Sequence, residues 1–395
     1  MKRLLLLVPL VATIALLSSC KPATEGGAPP PKTTGDTLLI GLNTELTGSI
    51  PVVGRSCRNA AELAVKDLND AGGLEVGGRK FKVELMVEDN EDKAESATAA
   101  AQKLVASGVL AMIGPNASRN AIPASEVAES AKVPMISPWS TNPKLTVGAR
   151  DGKPKQYVYR ACFTDEFQAA ADAKFVLNYL KSKRPAILFD VSSEANKGQA
   201  EVFKKTLEAG GTPPVAFETY TSGDKDFSSQ LSRIVAAKAD SLFLPNYYSE
   251  VPMQVKQARR LGYTGPIMGS DAWSNTEILK LSAGALEGQY FTMHYAPDRA
   301  TPLCKDFMTK YKAAYQQDPD DVAALTYDAF GLLFEAIRTA GVVDRMALGD
   351  ALRNTKSFEG VTGRMQFKGT GDPVKSAVVL QVKGGKFVYH DTVNP

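Results

Sequence analysis

Histidine is scarce in this chain, with only His294 and His390 among 395 residues. There is no HExxH helix, no CxxC pair and no histidine triplet, which removes the usual zinc chemistries. Cysteine is almost as rare, at four residues, too few for a disulfide framework. A GxSxG elbow is missing, which argues against a serine hydrolase of that kind. Neither GxxxxGK[ST] nor GxGxxG follows a predicted strand, so no nucleotide fold is announced. Charge of one sign is lacking too: 46 basic residues stand against 43 acidic ones and no run stands out, so nucleic acid is not an expected partner. Carboxylate pairs such as Glu88-Asp89 and Asp320-Asp321 read as solvated surface. No metal, no cofactor and no catalytic residue is expected.

What is present begins with an address. Lys2 and Arg3 precede an apolar run from Leu4 to Leu17, of signal-peptide length and short for a membrane span. It ends in Leu17-Ser18-Ser19-Cys20, which resembles the bacterial lipobox. Residues 1–19 are read as a lipoprotein signal peptide and Cys20 as the lipidated residue; the alternative is an ordinary signal peptide with a chance cysteine. Residues 20–36 hold four prolines and no aromatic residue and read as a flexible tether. No later apolar stretch reaches the ~18 residues that span a bilayer. Cys57, Cys162 and Cys304 remain as one disulfide with a spare thiol, or as three buried thiols.

The body alternates between the periods of strand and helix. Thr37 to Asn43 is a buried strand, and Ala61, Ala64, Val65 and Leu68 mark one face of a helix that stops at Gly72-Gly73. Strands are then predicted at Phe81 to Val87, Val109 to Ile113 and Val133 to Ile136, with helices at Ala94 to Val105 and Ala121 to Ser130. From Tyr157 the rhythm repeats as far as the helix from Pro252 to Leu261. The fold class is α/β: two Rossmann-like lobes with parallel-sheet cores. Beyond residue 296 come three helices in a row and then strands, so the chain is expected to return to the first lobe and to leave a multi-strand hinge with a ligand site between the lobes. The expected division is 37–162 plus 295–368 for the first lobe and 163–294 plus 369–395 for the second.

Six segments carry a resemblance: LTGSIPVVGRSCRNAAELAVKDLNDAGG, IGPNAS, VPMISPWSTNPKLT, YRACFTDEFQ, TYTSGDKDF and PNYYSE. In this order and spacing they resemble the type I periplasmic solute-binding proteins of ABC transporters, in the branch that binds leucine, isoleucine and valine. The resemblance implies a non-enzymatic protein that captures an amino acid and delivers it to the transmembrane subunits of an ABC permease. The expected protein is a monomer, held in the cell envelope by its lipid, in the periplasm or on the outer surface. Other ligands stay open at this stage, namely an amide, a urea-like solute or an aromatic carboxylate, as does a sensor domain reporting to a membrane partner.

Family ligands are zwitterions, so one side of the cleft must meet a carboxylate and the other an ammonium. By resemblance, Ser118 and Thr141 grip the carboxylate, Trp139 and Ser140 line the wall, Asp271 meets the ammonium and Tyr247 covers the ligand. Tyr327 is a further candidate from the returning segment. Local readings compete: Ser118 as an N-cap of its own helix, Asp271 as a turn aspartate, and Tyr248 in place of Tyr247. The chain departs from the family pattern at Val53, Trp139 and Ala195, so a reshaped pocket is expected.

Overall fold

The computed structural model describes residues 28–33 and 35–395; residues 1–19, expected to be a signal peptide, and Cys20 lie outside the described residues. Among those described, no helix is long and apolar enough to cross a membrane.

The first layer runs β1 (Thr37–Thr44), α1 (Pro51–Asp70), β2 (Leu74–Val76), β3 (Arg79–Asp89), α2 (Ala94–Ala106), β4 (Ala111–Ile113), α3 (Ser118–Ala131), β5 (Met135–Ser137) and β6 (Val158–Arg160). Its six-stranded sheet has the order β2-β3-β1-β4-β5-β6. The second runs α4 (Asp165–Asn178), β7 (Pro185–Asp190), α5 (Glu194–Ala209), β8 (Ala216–Tyr220), α6 (Ser228–Ala236), β9 (Ser241–Leu244), α7 (Val251–Arg260), β10 (Ile267–Gly269), α8 (Glu277–Ser282) and β11 (Tyr290–Met293). The chain continues through α9 (Pro302–Tyr315), α10 (Asp321–Ala340), α11 (Arg345–Arg353), β12 (Phe358–Gly360), β13 (Gly363–Phe367), β14 (Pro373–Val374), β15 (Ala377–Lys383) and β16 (Lys386–Val393).

The return predicted after residue 296 is visible in the packing. Helix α10 lies along α1 and touches β2 and β4, while β15 joins β11 in the seven-stranded sheet β16-β15-β11-β10-β9-β7-β8. The chain therefore passes between the two sheets after β6, after β11 and after β14. The sheets are mixed rather than purely parallel, since β2 runs antiparallel to β3, and β15 and β16 run antiparallel to their neighbours. The reason is local: Gly77-Gly78 and Gly384-Gly385 all sit at positive φ, the conformation that closes a two-residue hairpin. A small third sheet, β12-β13-β14, was not foreseen.

Strand periodicity explains the cores. Leu38, Ile40 and Leu42 are buried at alternate positions of β1, with the apolar face of α1 against them. In the second lobe Phe203 stacks on Phe243 at 4.0 Å between centroids. Val53-Gly54 belongs to the first turns of α1 rather than to a loop. Cys57, Cys162 and Cys304 are free and buried.

Residues 28–33 were expected to belong to a mobile tether. They instead lie along the first lobe: the Lys32 amide donates to Gly108 O at 2.8 Å, Thr33 bridges Leu38, and the Arg345 guanidinium donates to Pro29 O at 2.6 Å and to Val109 O. An arginine with five donors satisfies loop carbonyls that would otherwise be left without partners.

Gly54 permits a close approach in this layer, since a Cβ there would lie 2.1 Å from Glu45 O. Gly54→Ala forces helix and strand end apart, at about 1–3 kcal/mol of overpacking. A thermal melt should show a Tm several degrees lower, and an unchanged Tm would contradict this packing.

Candidate functional site

The first-lobe wall is built on a buried carboxylate. Glu45, just past β1, accepts from the backbone N–H groups of Asn116 and Ala117 at 3.2 and 3.1 Å and from the side-chain amides of Asn116 and Asn120 at 2.9 and 3.1 Å. It thus ties the end of β1 to the turn that leads into α3 and takes none of the helix's own N–H groups. Ser118 does not cap that helix. The capping position is Ala117, and the Ser118 hydroxyl lies 2.9 Å from that of Ser140 rather than on its own helix. The loop after β5 is held by Arg160, which is fully buried and donates to Ser140 O at 2.6 Å, Asn142 O at 2.9 Å and Asp372 at 2.6 Å. Thr141 sits between the two clamped carbonyls.

The second-lobe wall comes from the C-terminal ends of β7, β9 and β10. Ser193 caps α5, whose first turn presents Ala195, Asn196 and Gln199. Tyr247 packs its ring 6.0 Å from that of Trp139, and the Arg119 guanidinium lies 5.5 Å over it, a cation–π contact between the lobes. Asp271 opens a short 3-10 turn after β10 and is buried. Asn142 donates to Glu194 O at 2.8 Å and Lys144 pairs with Glu194 at 2.7 Å, so the lobes meet edge to edge.

Between these walls lies a cleft of about 250 Å³. Ser118, Trp139, Thr141, Tyr247 and Asp271 all line it, together with Ala195. Ser140 stands behind, touching Ser118. Tyr248 is buried and its amide donates to Ala272 O. Tyr327 is a correction: helix α10 turns it outward from the cleft, where its hydroxyl donates to Asp67 at 2.9 Å and its ring packs on Phe307. Sequence reasoning missed Asn116, Asn196 and Gln199. The last two are an i,i+3 polar pair beginning just past a strand end, and that spacing was the available signal.

The three chain crossings converge behind Asp271. Phe163 stacks on His294 at 3.6 Å, Lys375 Nζ donates to Ala161 O at 3.3 Å, and the His294 amide donates to Asp321 at 3.2 Å. Asp320 and Asp321, read as surface, are both buried at the start of α10, where Asp320 is the cap and accepts from Ala323 N and from Ser56. Burial raises Asp271 and Asp165 each to about 7, and raises Asp172 and Asp321 well above the carboxylate range. The amides of Gln168 and Gln199 offset part of the shift at Asp271. Burial also holds His294 neutral and lowers Lys375 to about 8. His294 Nε2 lies 3.6 Å from Asp271 and 3.7 Å from Asp321; with the imidazole neutral these are not ion pairs. The three donor atoms lie within 4.8 Å of one another, and among the described residues they are the group that could hold a metal ion, in competition with the Lys375 ammonium.

The sequence profile of the periplasmic binding proteins matches residues 37–386. A Leu/Ile/Val-binding protein of Rhizobium johnstonii is 33% identical over 357 residues, which cover 89% of this chain and 93% of that protein. A leucine-, isoleucine-, valine-, threonine- and alanine-binding protein of Pseudomonas aeruginosa is 30% identical, covering 85% and 87%. Among solved structures, a leucine-binding protein of Thermotoga maritima superposes with a TM-score of 0.84 at 34% identity, covering 91% of this chain and 99% of that one. A branched-chain amino acid transporter substrate-binding protein of Streptococcus pneumoniae, in complex with isoleucine, gives 0.83 at 31%, covering 91% and 100%. With two lobes, a cleft fed from both and a match over nearly its whole described length, this chain belongs to the periplasmic binding protein family.

Proposed function

We propose that this chain is the solute-binding component of an ABC importer, that it holds a free amino acid between its lobes, and that it catalyses nothing. The observation that carries this is a single cleft with hydroxyls and free helix N–H groups on one wall and an unneutralised buried acid on the other. Ser118 and Thr141 would donate to the ligand carboxylate beside the N-terminus of α3. Asp271 would accept from its ammonium, Trp139 and Tyr247 would enclose it, and Ser140 would hold Ser118 in place. The lobes would divide at 37–162 plus 295–368 and 163–294 plus 369–395, and close by rotation at the three crossings. Anchoring through lipid on Cys20 and docking as a monomer on the permease complete the reading.

Magnitudes support a polar grip. Burying four aliphatic carbons contributes ~3 kcal/mol, while micromolar binding needs about 8 kcal/mol. Charge-assisted hydrogen bonds in a dry cleft must supply much of the rest.

Two outcomes test this with the L-amino acid that most raises Tm in a panel screen. Asp271→Asn should weaken its binding at least tenfold by calorimetry, while the ligand-free variant melts higher than the parent above pH 7. The sign follows from the raised pKa: the folded parent holds a proton that the unfolded chain has lost, so this group favours folding less as pH rises from 4 through 7. Unchanged affinity in the variant would remove Asp271 from the ammonium site.

The second outcome concerns the parent protein. Below pH 7 an ammonium must displace the Asp271 proton, so affinity should fall by up to tenfold per unit between pH 7 and 5.5. A flat profile would contradict it.

A further inference from the structure

The cleft is unlike a pocket for a bare aliphatic side chain. Its apolar lining is limited to the methyls of Ala117, Ala195 and Ala272 and the rings of Trp139 and Tyr247. No leucine, isoleucine, valine, methionine or phenylalanine reaches it.

Three lining residues, Trp139, Asn116 and Gln199, carry buried polar atoms that nothing in the protein satisfies, and two of them stand on the first-lobe wall. The Trp139 indole Nε1 has no acceptor, and Asn116 Oδ1 has no donor. The orientation of the Asn116 amide is fixed, because its Nδ2 donates to Glu45 at 2.9 Å and to Thr44 Oγ1 at 3.0 Å, and a carboxylate can only accept. What remains on the first-lobe wall is one N–H donor and one carbonyl acceptor, with Gln199 Oε1 a further acceptor on the facing wall. Leaving such groups unpaired in a closed site is costly. A hydroxyl both accepts and donates one hydrogen bond, and it complements the pair.

We infer that the side-chain end of the cleft selects a small hydroxylated α-amino acid, threonine or serine, with Trp139 Nε1 and Asn116 Oδ1 as the groups that read the hydroxyl. This rests on the amino-acid reading above and names the ligand class within it. Against a methyl in that place the Trp139 N–H would go unpaired. A site built to hydrogen-bond a ligand hydroxyl discriminates strongly against the analogue that lacks it.

Threonine and valine have the same shape, with a methyl in place of the hydroxyl, and they form the test. The purified protein is freed of bound ligand by unfolding and refolding, then titrated with each by calorimetry. Threonine should bind at least tenfold more tightly than valine, and serine more tightly than alanine. In Trp139→Phe, which keeps a ring against Tyr247 and removes the N–H, the threonine-to-valine ratio should collapse to within about threefold through loss of threonine affinity. Valine binding as tightly as threonine to the parent protein overturns the inference, whether or not the variant folds. If leucine or valine binds and threonine does not, only this inference fails. If no α-amino acid binds at all, the amino-acid reading has failed and takes this one with it.

Discussion

A carboxylate buried without a cation is the constraint around which the rest of the molecule is arranged. Asp271 sits in the cleft floor with Asp165, Asp172 and Asp321 around it, in a volume where each charge resists its neighbours and water cannot help. Burial relieves this by raising the pKa of each acid, which favours the protonated form. A cationic group entering the cleft relieves it differently, and that difference is a free energy available for holding the lobes together. The arrangement costs stability in the free protein so that it can be recovered on binding, the usual exchange at a functional site.

Such a site needs walls that do not give. Glu45 fixes the turn before α3 and Arg160 fixes the loop before Thr141, each through several backbone groups at once. Neither group lines the cleft. They keep Ser118 and Thr141 in one arrangement, so that little ordering remains to be done when a solute arrives. The interlobe contacts are polar and aromatic: amide hydrogen bonds from Asn142 to Glu194 O and from Asn275 to Asp320, an exposed Lys144–Glu194 pair, and the Trp139 and Arg119 contacts on the Tyr247 ring. Contacts of that kind hold a closed form without locking it.

The architecture was largely legible because both of its signals are local. The bounded apolar run of β1 and the i, i+3, i+4, i+7 spacing in α1 are such signals; β1 and the end of α1 were read within a few residues, whereas the start of α1 at Pro51 lies ten residues before the first periodic position, Ala61. The mixed edges were not read, since a Gly-Gly hairpin looks like any loop until the neighbouring strand is known. In the site, Ser118, Trp139, Thr141, Tyr247 and Asp271 were found because each follows a strand end within a motif. Tyr327 was misplaced for the opposite reason. It lies mid-helix, where the rotation of α10 decides its direction, and the sequence alone does not show which helix α10 packs on. Asp320-Asp321 misled in the same way, since an acidic pair at a buried helix start looks like an acidic pair in solvent. Glu45 and Arg160 were invisible because their partners are backbone groups, which every residue has.

The strap formed by residues 28–33 bears on how the molecule stands at a surface. It is fastened at Gly108 and Arg345, beside the strand ends that enter the sheet, whereas the cleft opens where those strands leave it. Whatever is tied to the chain ahead of residue 28 therefore meets the first lobe on the side away from the mouth, and the path by which a solute enters stays clear of it.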